Sequence, residues 1–248
     1  MTHFAALASA AVLATTPLLG QDAADDQGPQ APDATPKKPT IERISETQFK
    51  IGKVSFDSKK RELSFPAKVN MTEGLLEYVI VMPHGKMHES LFVTEANPFD
   101  VNVAFKLLNV PAMEKYFPEL DENFSPIPGP KPTEAALAAS RLTATVTWVV
   151  DGKASSHPLH ELIKDTENDK FMPKGRWLYT GSVIDNGKFQ ATLSGDILAI
   201  LNNRASIINY NGPGSENDEI WIPVTKTLPP LGTDVTVTLH APKAQENK

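Results

Sequence analysis

The sequence predicts a mainly β protein: a single antiparallel β-sandwich or barrel-like domain with two or three short helices. Two observations support this fold class. Short runs rich in β-branched and aromatic residues alternate with turn signals along most of the chain, which is typical of strands joined by hairpins. No alternation of strand and helix is present, so a parallel sheet covered by helices is not expected.

The central element is predicted to be a hairpin over 75–94, LLEYVIVMPHGKMHESLFVT, which turns at His84 and Gly85. This register places Ile80 opposite Glu89 and makes Glu89 the one polar residue on an otherwise apolar face. A slip of one residue would exchange the two faces. The hairpin is therefore the element whose register decides which side chains point inward.

Three further hairpins are predicted from Lys-rich, Asp-Gly and Asn-Gly turns. The helices are expected to start at Asn97-Pro98, where an N-cap precedes a proline, and at Thr133, with a third candidate near Pro158. The predicted hairpins pair 49–57 with 62–69, 142–150 with 153–157, and 177–184 with 188–193. The remaining predicted strands are 197–201, 205–208, 220–224 and 235–239, and the helices are 97–110, 133–140 and 158–164.

The chain is expected to be exported. Residues 1–20 form an uncharged Ala- and Leu-rich run that resembles a signal peptide and is too short for a confident membrane span. Residues 21–40 are rich in Pro, Asp and Gln and are predicted to be a disordered tether. The folded domain is expected over 41–242, with a disordered tail over 243–248. The predicted location is the periplasm, the cell envelope or the medium.

Composition excludes several classes of function. The net charge is −6 and the Lys and Arg residues are scattered, which argues against nucleic acid as a partner. The absence of cysteine removes disulfides, thiolate metal sites and cysteine nucleophiles. No glycine-rich nucleotide motif and no G-x-S-x-G elbow is present, so no cofactor is expected.

Glu89 is the residue most out of place, because a carboxylate on an apolar face is costly to bury without a partner. It is either a site acid beside Lys86 and His88 or a structural ion-pair partner. His84 and His88 are four residues apart, but Pro83 and Gly85 disfavour the helix that a zinc motif needs there.

A second candidate region is 194–219, where Asp196 begins an apolar strand, Asn202 follows it and an acidic, Asn-rich loop comes next. Oxygen ligands at this density could hold calcium, although their spacing does not follow the EF-hand pattern. An ordinary solvated turn has the same composition. The loop residues concerned are Asn209, Asn211, Ser215, Glu216, Asn217, Asp218 and Glu219.

Several stretches resemble exported bacterial proteins that carry a YdjY-type domain. They are GKMHESLFVTEANPFDVNVAFKLLNV, HELIKDTENDKFMP, RWLYTGSV, SGDILAILNNRASI and TLPPLGTDVTVTL, and together they span about Val69 to Leu239. The resemblance implies an envelope protein and supplies no reaction. Some relatives carry a ferredoxin-like cysteine segment, which this sequence lacks. The candidate binding residues are Lys86, His88, Glu89, Asp196 and Asn202.

The expected function is a non-catalytic binding or structural module of the cell envelope. Its partner would be an envelope protein or a small ligand, with no membrane span after signal cleavage. Two alternatives stay open: a metal-dependent hydrolase that uses His88 and Glu89, and a domain that binds calcium or carbohydrate.

Overall fold

Strands dominate the computed structural model, which describes residues 32–123 and 125–243. The predicted signal over 1–20, residues 21–31 of the predicted tether and residues 244–248 of the tail predicted over 243–248 lie outside the described residues. The described strands are β1 (Ile41–Arg43), β2 (Gln48–Ile51), β3 (Val54–Asp57), β4 (Glu62–Val69), β5 (Tyr78–Val81), β6 (Ser90–Val93), β7 (Arg141–Val150), β8 (Lys153–Pro158), β9 (Ile163–Asp165), β10 (Lys170–Phe171), β11 (Trp177–Tyr179), β12 (Ile184–Asp185), β13 (Lys188–Phe189), β14 (Asp196–Ala199), β15 (Ile208–Tyr210), β16 (Trp221–Pro223) and β17 (Asp234–His240).

Eight of these strands close into a barrel. Their order around it is β4-β17-β7-β11-β15-β14-β5-β6, and β6 pairs with β4 to complete the ring. All neighbouring pairs are antiparallel except β14–β15 and β5–β6, which are parallel. The predicted mainly β, barrel-like fold is confirmed, with a closed ring of strands in place of the alternative sandwich.

The three longest barrel strands show why this sequence forms a sheet with one buried face. Every second residue of β4 is buried, namely Leu63, Phe65, Ala67 and Val69. The residues between them are more exposed. Phe65 pairs with Val237 of β17, which in turn pairs with Val146 of β7. Burying a side chain of this size contributes about 1.5–3 kcal/mol. Alternation of period two therefore fixes the register of this part of the barrel.

The predicted central hairpin over 75–94 is wrong, because its two strands run parallel. Ile80 pairs with Phe92, whereas the predicted register placed it opposite Glu89. β5 takes its antiparallel partner from β14, and β6 takes its own from β4. Every residue of β5 is buried. Such an uninterrupted apolar strand is typical of a sheet covered on both faces rather than of a half-exposed hairpin.

The link over 82–89 explains how neighbouring parallel strands are joined by so short a segment. A turn forms where it was predicted, with the Gly85 N–H donating to the Met82 carbonyl at 2.9 Å. A single turn of 3-10 helix, Met87–Glu89, then follows and leads directly into β6. Parallel neighbours usually need a dozen or more residues between them. Two consecutive tight turns provide the return path here.

Two of the other predicted hairpins are present. β7 and β8 pair as expected, and their turn residues Asp151 and Gly152 both have positive φ, 50° and 73°, as a type I′ turn requires. β3 and β4 also form a hairpin. The predicted strand 49–57 is divided at Gly52 into β2 and β3, and β1 extends this sheet outward from β4.

The predicted hairpin of 177–184 with 188–193 is wrong in extent. Only β12 and β13 pair across the turn at Asn186 and Gly187. β11 is a barrel strand between β7 and β15, and helix α3 (Gln190–Ser194) replaces the rest of the predicted second strand.

The first two predicted helices are present. Helix α1 (Pro98–Leu107) is capped by Asn97, whose side-chain oxygen accepts from the Phe99 N–H at 2.9 Å. Its buried residues include Val101 and Phe105, on the face that was expected to pack. Helix α2 (Glu134–Ser140) is capped in the same way by Thr133.

The third predicted helix, 158–164, is wrong. Leu159–Glu161 form a single 3-10 turn, and the chain then enters β9. β9 is the central strand of a small sheet of order β10-β9-β16, in which Ile163 pairs with Pro223. Residues 163–165 therefore form backbone hydrogen bonds to β10 and β16, and they do not continue a helix.

The predicted tether is described only over 32–40, which contains no helix or strand. Ala34 is buried, and its carbonyl accepts from the Phe189 N–H at 2.8 Å. Within 32–123 and 125–243, no helix has the length and apolar character needed to cross a membrane.

Candidate functional site

The turn at His84 and Gly85 and the Gly195-Asp196 step, both singled out in the sequence, meet in the fold. The Met82 N–H donates to the Gly195 carbonyl at 2.7 Å, and His84 Nε2 lies 3.0 Å from the Thr192 carbonyl oxygen. A Cβ on Gly195 would lie 3.0 Å from the backbone of Gly85. The link between β5 and β6 is therefore packed directly on the turn that precedes Asp196.

Lys86, in the link between β5 and β6, contacts three side chains. Its Nζ donates to Glu77 Oε2 at 2.9 Å and lies 3.5 Å from Glu89 Oε2. It also lies 5.4 Å from the centre of the Tyr78 ring, within the range of a cation–π contact. The hydrogen bond to Glu77 raises the pKa of Lys86 well above its ordinary value. Lys86 is thus held as a cation between two carboxylates.

Glu89 does not point into an apolar core, so the predicted inward-facing position is wrong. It ends the 3-10 turn, where the chain no longer alternates faces, and its side chain is 29% exposed. Glu89 Oε1 lies 3.5 Å from Nε2 of His88, whose side chain is 76% exposed. Its Oε2 is shielded from solvent and accepts no hydrogen bond from any residue that the structure describes, although Lys86 Nζ lies 3.5 Å away.

Asp196 is the buried acid of the region, with 4% of its surface exposed. Its Oδ2 accepts from Asn203 Nδ2 at 2.8 Å, and the same amide lies 3.0 Å from the Tyr78 hydroxyl. Its Oδ1 has no hydrogen-bond partner among the described residues. Burial raises the pKa of Asp196, and the side chains of Ser194 and Asn203, followed by the cation Lys86, oppose that rise. Sequence reasoning identified Asp196 but missed Tyr78 and Asn203.

Asn202 belongs to a different part of the molecule. Its Oδ1 accepts from the Tyr116 hydroxyl at 3.2 Å, and its backbone N–H donates to the Ser215 carbonyl at 3.0 Å. Its Nδ2 lies 3.4 Å from Ser215 Oγ. The five candidate residues therefore do not converge: four lie along the Lys86 network, and Asn202 braces the loop over 211–219.

That loop forms one wall of an open groove of about 660 Å³. The other wall is the β9–β10 hairpin, and Ile220 and Trp221 lie between the two walls. The side chains at the surface of the groove are a mixture of apolar groups, amides, carboxylates, one hydroxyl and one lysine ammonium. The lining residues are Asp165, Glu167, Asn168, Lys170, Phe171, Pro173, Pro213, Gly214, Ser215, Glu216, Asn217, Ile220 and Trp221.

Hydrogen bonds within each wall hold the groove in shape. Trp221 Nε1 donates to the Gly214 carbonyl at 3.0 Å, and Gly214 has φ +78°, a backbone conformation that favours glycine. In the opposite wall, Asp165 accepts from the Glu167 N–H at 2.7 Å and from the Asn168 side chain at 2.8 Å. The hydrogen bond from Asn168 lowers the pKa of Asp165. A groove with such fixed walls loses little entropy on binding.

The residues proposed for calcium are divided by the fold. Asn209 is fully buried, where its side chain donates to Thr180 Oγ1 at 2.8 Å and accepts from the Asn203 N–H at 2.8 Å. Ser215, Glu216 and Asn217 line the groove instead. In the described ranges, no three His, Cys, Asp or Glu side chains are grouped so that they could share one metal ion.

Comparison with known proteins gives one result. The chain matches the family model described as the YdjY domain over residues 54–240, from β3 to the end of β17. Neither a curated protein nor a solved structure matches the chain.

Proposed function

Because this chain belongs to the YdjY domain family, a family of unknown function, we propose a role from the geometry of the chain itself. The protein is an exported, non-catalytic binding module of the cell envelope, and its ligand occupies the groove between the β9–β10 hairpin and the loop over 211–219. The observation that carries this proposal is the groove, because it is open, large and preformed. Its volume lies within the roughly 300–1,000 Å³ of ordinary small-molecule sites.

The location of the groove also supports a binding role. Barrel strand β14 supports one wall through Asn202, which follows it, and β16 of the small sheet supports the same wall through Trp221. The loop itself carries the exposed polar groups. Loops held by a rigid scaffold are where binding residues concentrate in folded domains.

The rival proposal is a metal-dependent hydrolase that uses His88 and Glu89. One observation favours it, the 3.5 Å separation of His88 Nε2 and Glu89 Oε1. The nearest charged neighbour of Glu89 is Lys86, a cation that competes with a metal for the same carboxylate. A single histidine–carboxylate contact, made by a largely exposed histidine, supports a hydrolase less than the groove supports a binding module.

Export is supported by the sequence alone, through the apolar run over 1–20. Expression of the full chain in a bacterial host and fractionation of the cells tests it. We expect the protein in the periplasmic or envelope fraction, with a mass that shows loss of about the first 20 residues. Recovery of the intact chain from the cytoplasm would refute export and leave the groove unaffected.

Binding in the groove is tested by thermal shift with defined small molecules. The panel contains oligosaccharides, polyamines, dicarboxylates, nucleotides and short peptides. A ligand at about ten times its dissociation constant stabilises the native state by about 1.4 kcal/mol, which is a measurable rise in Tm. We expect at least one class to raise the Tm of the full chain.

The matched variants are Glu216→Trp, which places a bulky side chain in the groove wall, and Asp218→Trp, which changes an exposed residue outside the lining. The Tm shift should persist in Asp218→Trp and vanish in Glu216→Trp. A panel without any shift, or a shift that Glu216→Trp retains, would refute the groove as the ligand site.

A further inference from the structure

Phe171 is a large aromatic residue, of a type that is usually buried, yet it is exposed to solvent. The residue is 56% exposed. Of the large apolar residues that are exposed in the described part of the chain, it alone is aromatic. It ends β10, on the rim of the groove. Leaving an aromatic ring in water forgoes the burial energy that such a large side chain supplies. An exposed ring on a groove rim is a platform for a flat, partly apolar ligand.

The polar lining of the groove consists mainly of hydrogen-bond acceptors. Glu167 and Glu216 are exposed carboxylates with no ion-pair partner within 4.0 Å among residues 32–123 and 125–243. Ionised carboxylates only accept hydrogen bonds. The ligand that suits them must offer several donors, and hydroxyl groups do so.

The charge of the lining selects between ligand classes. Asp165, Glu167 and Glu216 oppose a single lysine, Lys170, so an anionic ligand such as a phosphate or a uronic acid is disfavoured. The acidic groups also do not converge on one point that a cation could occupy, since Asp165 is already satisfied by hydrogen bonds from its own turn. An uncharged, hydroxyl-rich ligand avoids both difficulties.

We infer that the groove binds an uncharged oligosaccharide, with the apolar face of one sugar ring on Phe171 and hydroxyl groups donating to Glu167 and Glu216. This inference rests on the proposed function, because it names the ligand class of the same groove. The groove, with a volume of about 660 Å³, has room for more than one sugar ring, which suits an oligosaccharide better than a monosaccharide.

Isothermal titration of the full chain with three uncharged probes tests the inference: cellohexaose, maltohexaose and the hexamer of N-acetylglucosamine. Spermidine and trilysine serve as cationic probes. We expect at least one hexasaccharide to bind with a dissociation constant below about 1 mM. Its affinity should not change between low and high salt, because no charge on the ligand is screened.

Phe171→Ala should weaken that binding by about fivefold to tenfold, as expected for the loss of one aromatic platform. The matched control is Ile184→Ala, which removes an equally exposed apolar side chain outside the groove and should leave the affinity unchanged. Hexasaccharide binding that is equal in both variants would overturn the role of Phe171.

The failure of the inference and the failure of the proposed function give different results. Salt-sensitive binding of spermidine or trilysine that Glu216→Trp abolishes, without binding of any hexasaccharide, would overturn the carbohydrate class and retain the groove. Absence of binding by all five probes overturns the carbohydrate inference. Together with a thermal-shift panel that shows no groove-dependent shift, it overturns the proposed function as well.

Discussion

Substitution of Asp196 by Asn should stabilise the protein at alkaline pH and have little effect at acid pH. Asp196 is 4% exposed, and within 32–123 and 125–243 Oδ2 has a hydrogen-bond partner whereas Oδ1 has none. The amide of the Asp196→Asn variant can still accept from Asn203 through its oxygen. The substitution therefore removes a buried charge and keeps the hydrogen bond from Asn203.

The magnitude follows from the cost of a buried acceptor without a partner, about 1–3 kcal/mol and more when it is charged. The variant keeps an unpartnered group, the amide nitrogen, but that group is neutral. We expect a net gain of about 1–2 kcal/mol in the free energy of unfolding at about pH 8.

The pH dependence fixes the sign of the effect. Burial raises the pKa of Asp196, so the native state binds this proton more tightly than the unfolded chain does. The stabilisation from the protonated form is complete below the unfolded pKa of about 3.9 and declines as the pH rises through the higher native pKa. The advantage of Asp196→Asn should therefore grow from near zero at about pH 4 to its full value at about pH 8.

Urea denaturation followed by tryptophan fluorescence measures this difference at both pH values. Asp234→Asn is the control, because its side chain is 85% exposed and its pair with Lys68 lies at the surface. The control should change stability by less than about 1 kcal/mol at both pH values. Loss of stability in Asp196→Asn at about pH 8, or a difference that does not depend on pH, would refute the reasoning and show that Lys86 compensates the charge.

Three further changes test the packing and the groove. Tyr179→Phe should lower the free energy of unfolding by about 1–3 kcal/mol in urea denaturation, because the Tyr179 hydroxyl donates to Asn102 Oδ1 at 2.5 Å and both groups are buried. Gly195→Ala should cost about 2 kcal/mol or more, since φ is +82° and the new Cβ would lie 3.0 Å from backbone atoms, whereas Gly129→Ala, where the Cβ meets nothing within 4 Å, should leave Tm unchanged. Asn202→Ala should speed amide hydrogen exchange over 212–217, and unchanged exchange there would contradict its bracing role.

Local signals in the sequence predicted much of the fold. The Asp-Gly turn between β7 and β8 and the Asn-Pro start of helix α1 each depend on a few neighbouring residues, and both were predicted correctly. The pairing of β5 with β6 was not. A strong turn signal at His84 and Gly85 indicates that the chain bends, but it does not determine which strand the chain pairs with after the bend. The continuous apolar run Val79–Val81 was the available signal for strands buried on both faces.

The candidate site was predicted less well, because it is formed by distant segments. Asp196 and Lys86 were identified from charges beside apolar runs, and they do lie in one network. Asn203 was missed, since its role depends on the turn that brings its amide to Asp196. Phe171 carries no signal at its own position. It follows a polar run, and only the pairing of β9 with β10 shows that its ring stays exposed beside the loop over 211–219.

The most direct measurement is amide chemical-shift mapping of the isotope-labelled full chain during titration with the hexasaccharide that binds most tightly. We expect the shifted amides to cluster over 165–173 and 212–221, on the two walls and the floor of the groove. Shifts concentrated over 84–90 and around Asp196 would contradict this account and move the ligand site to the Lys86 network.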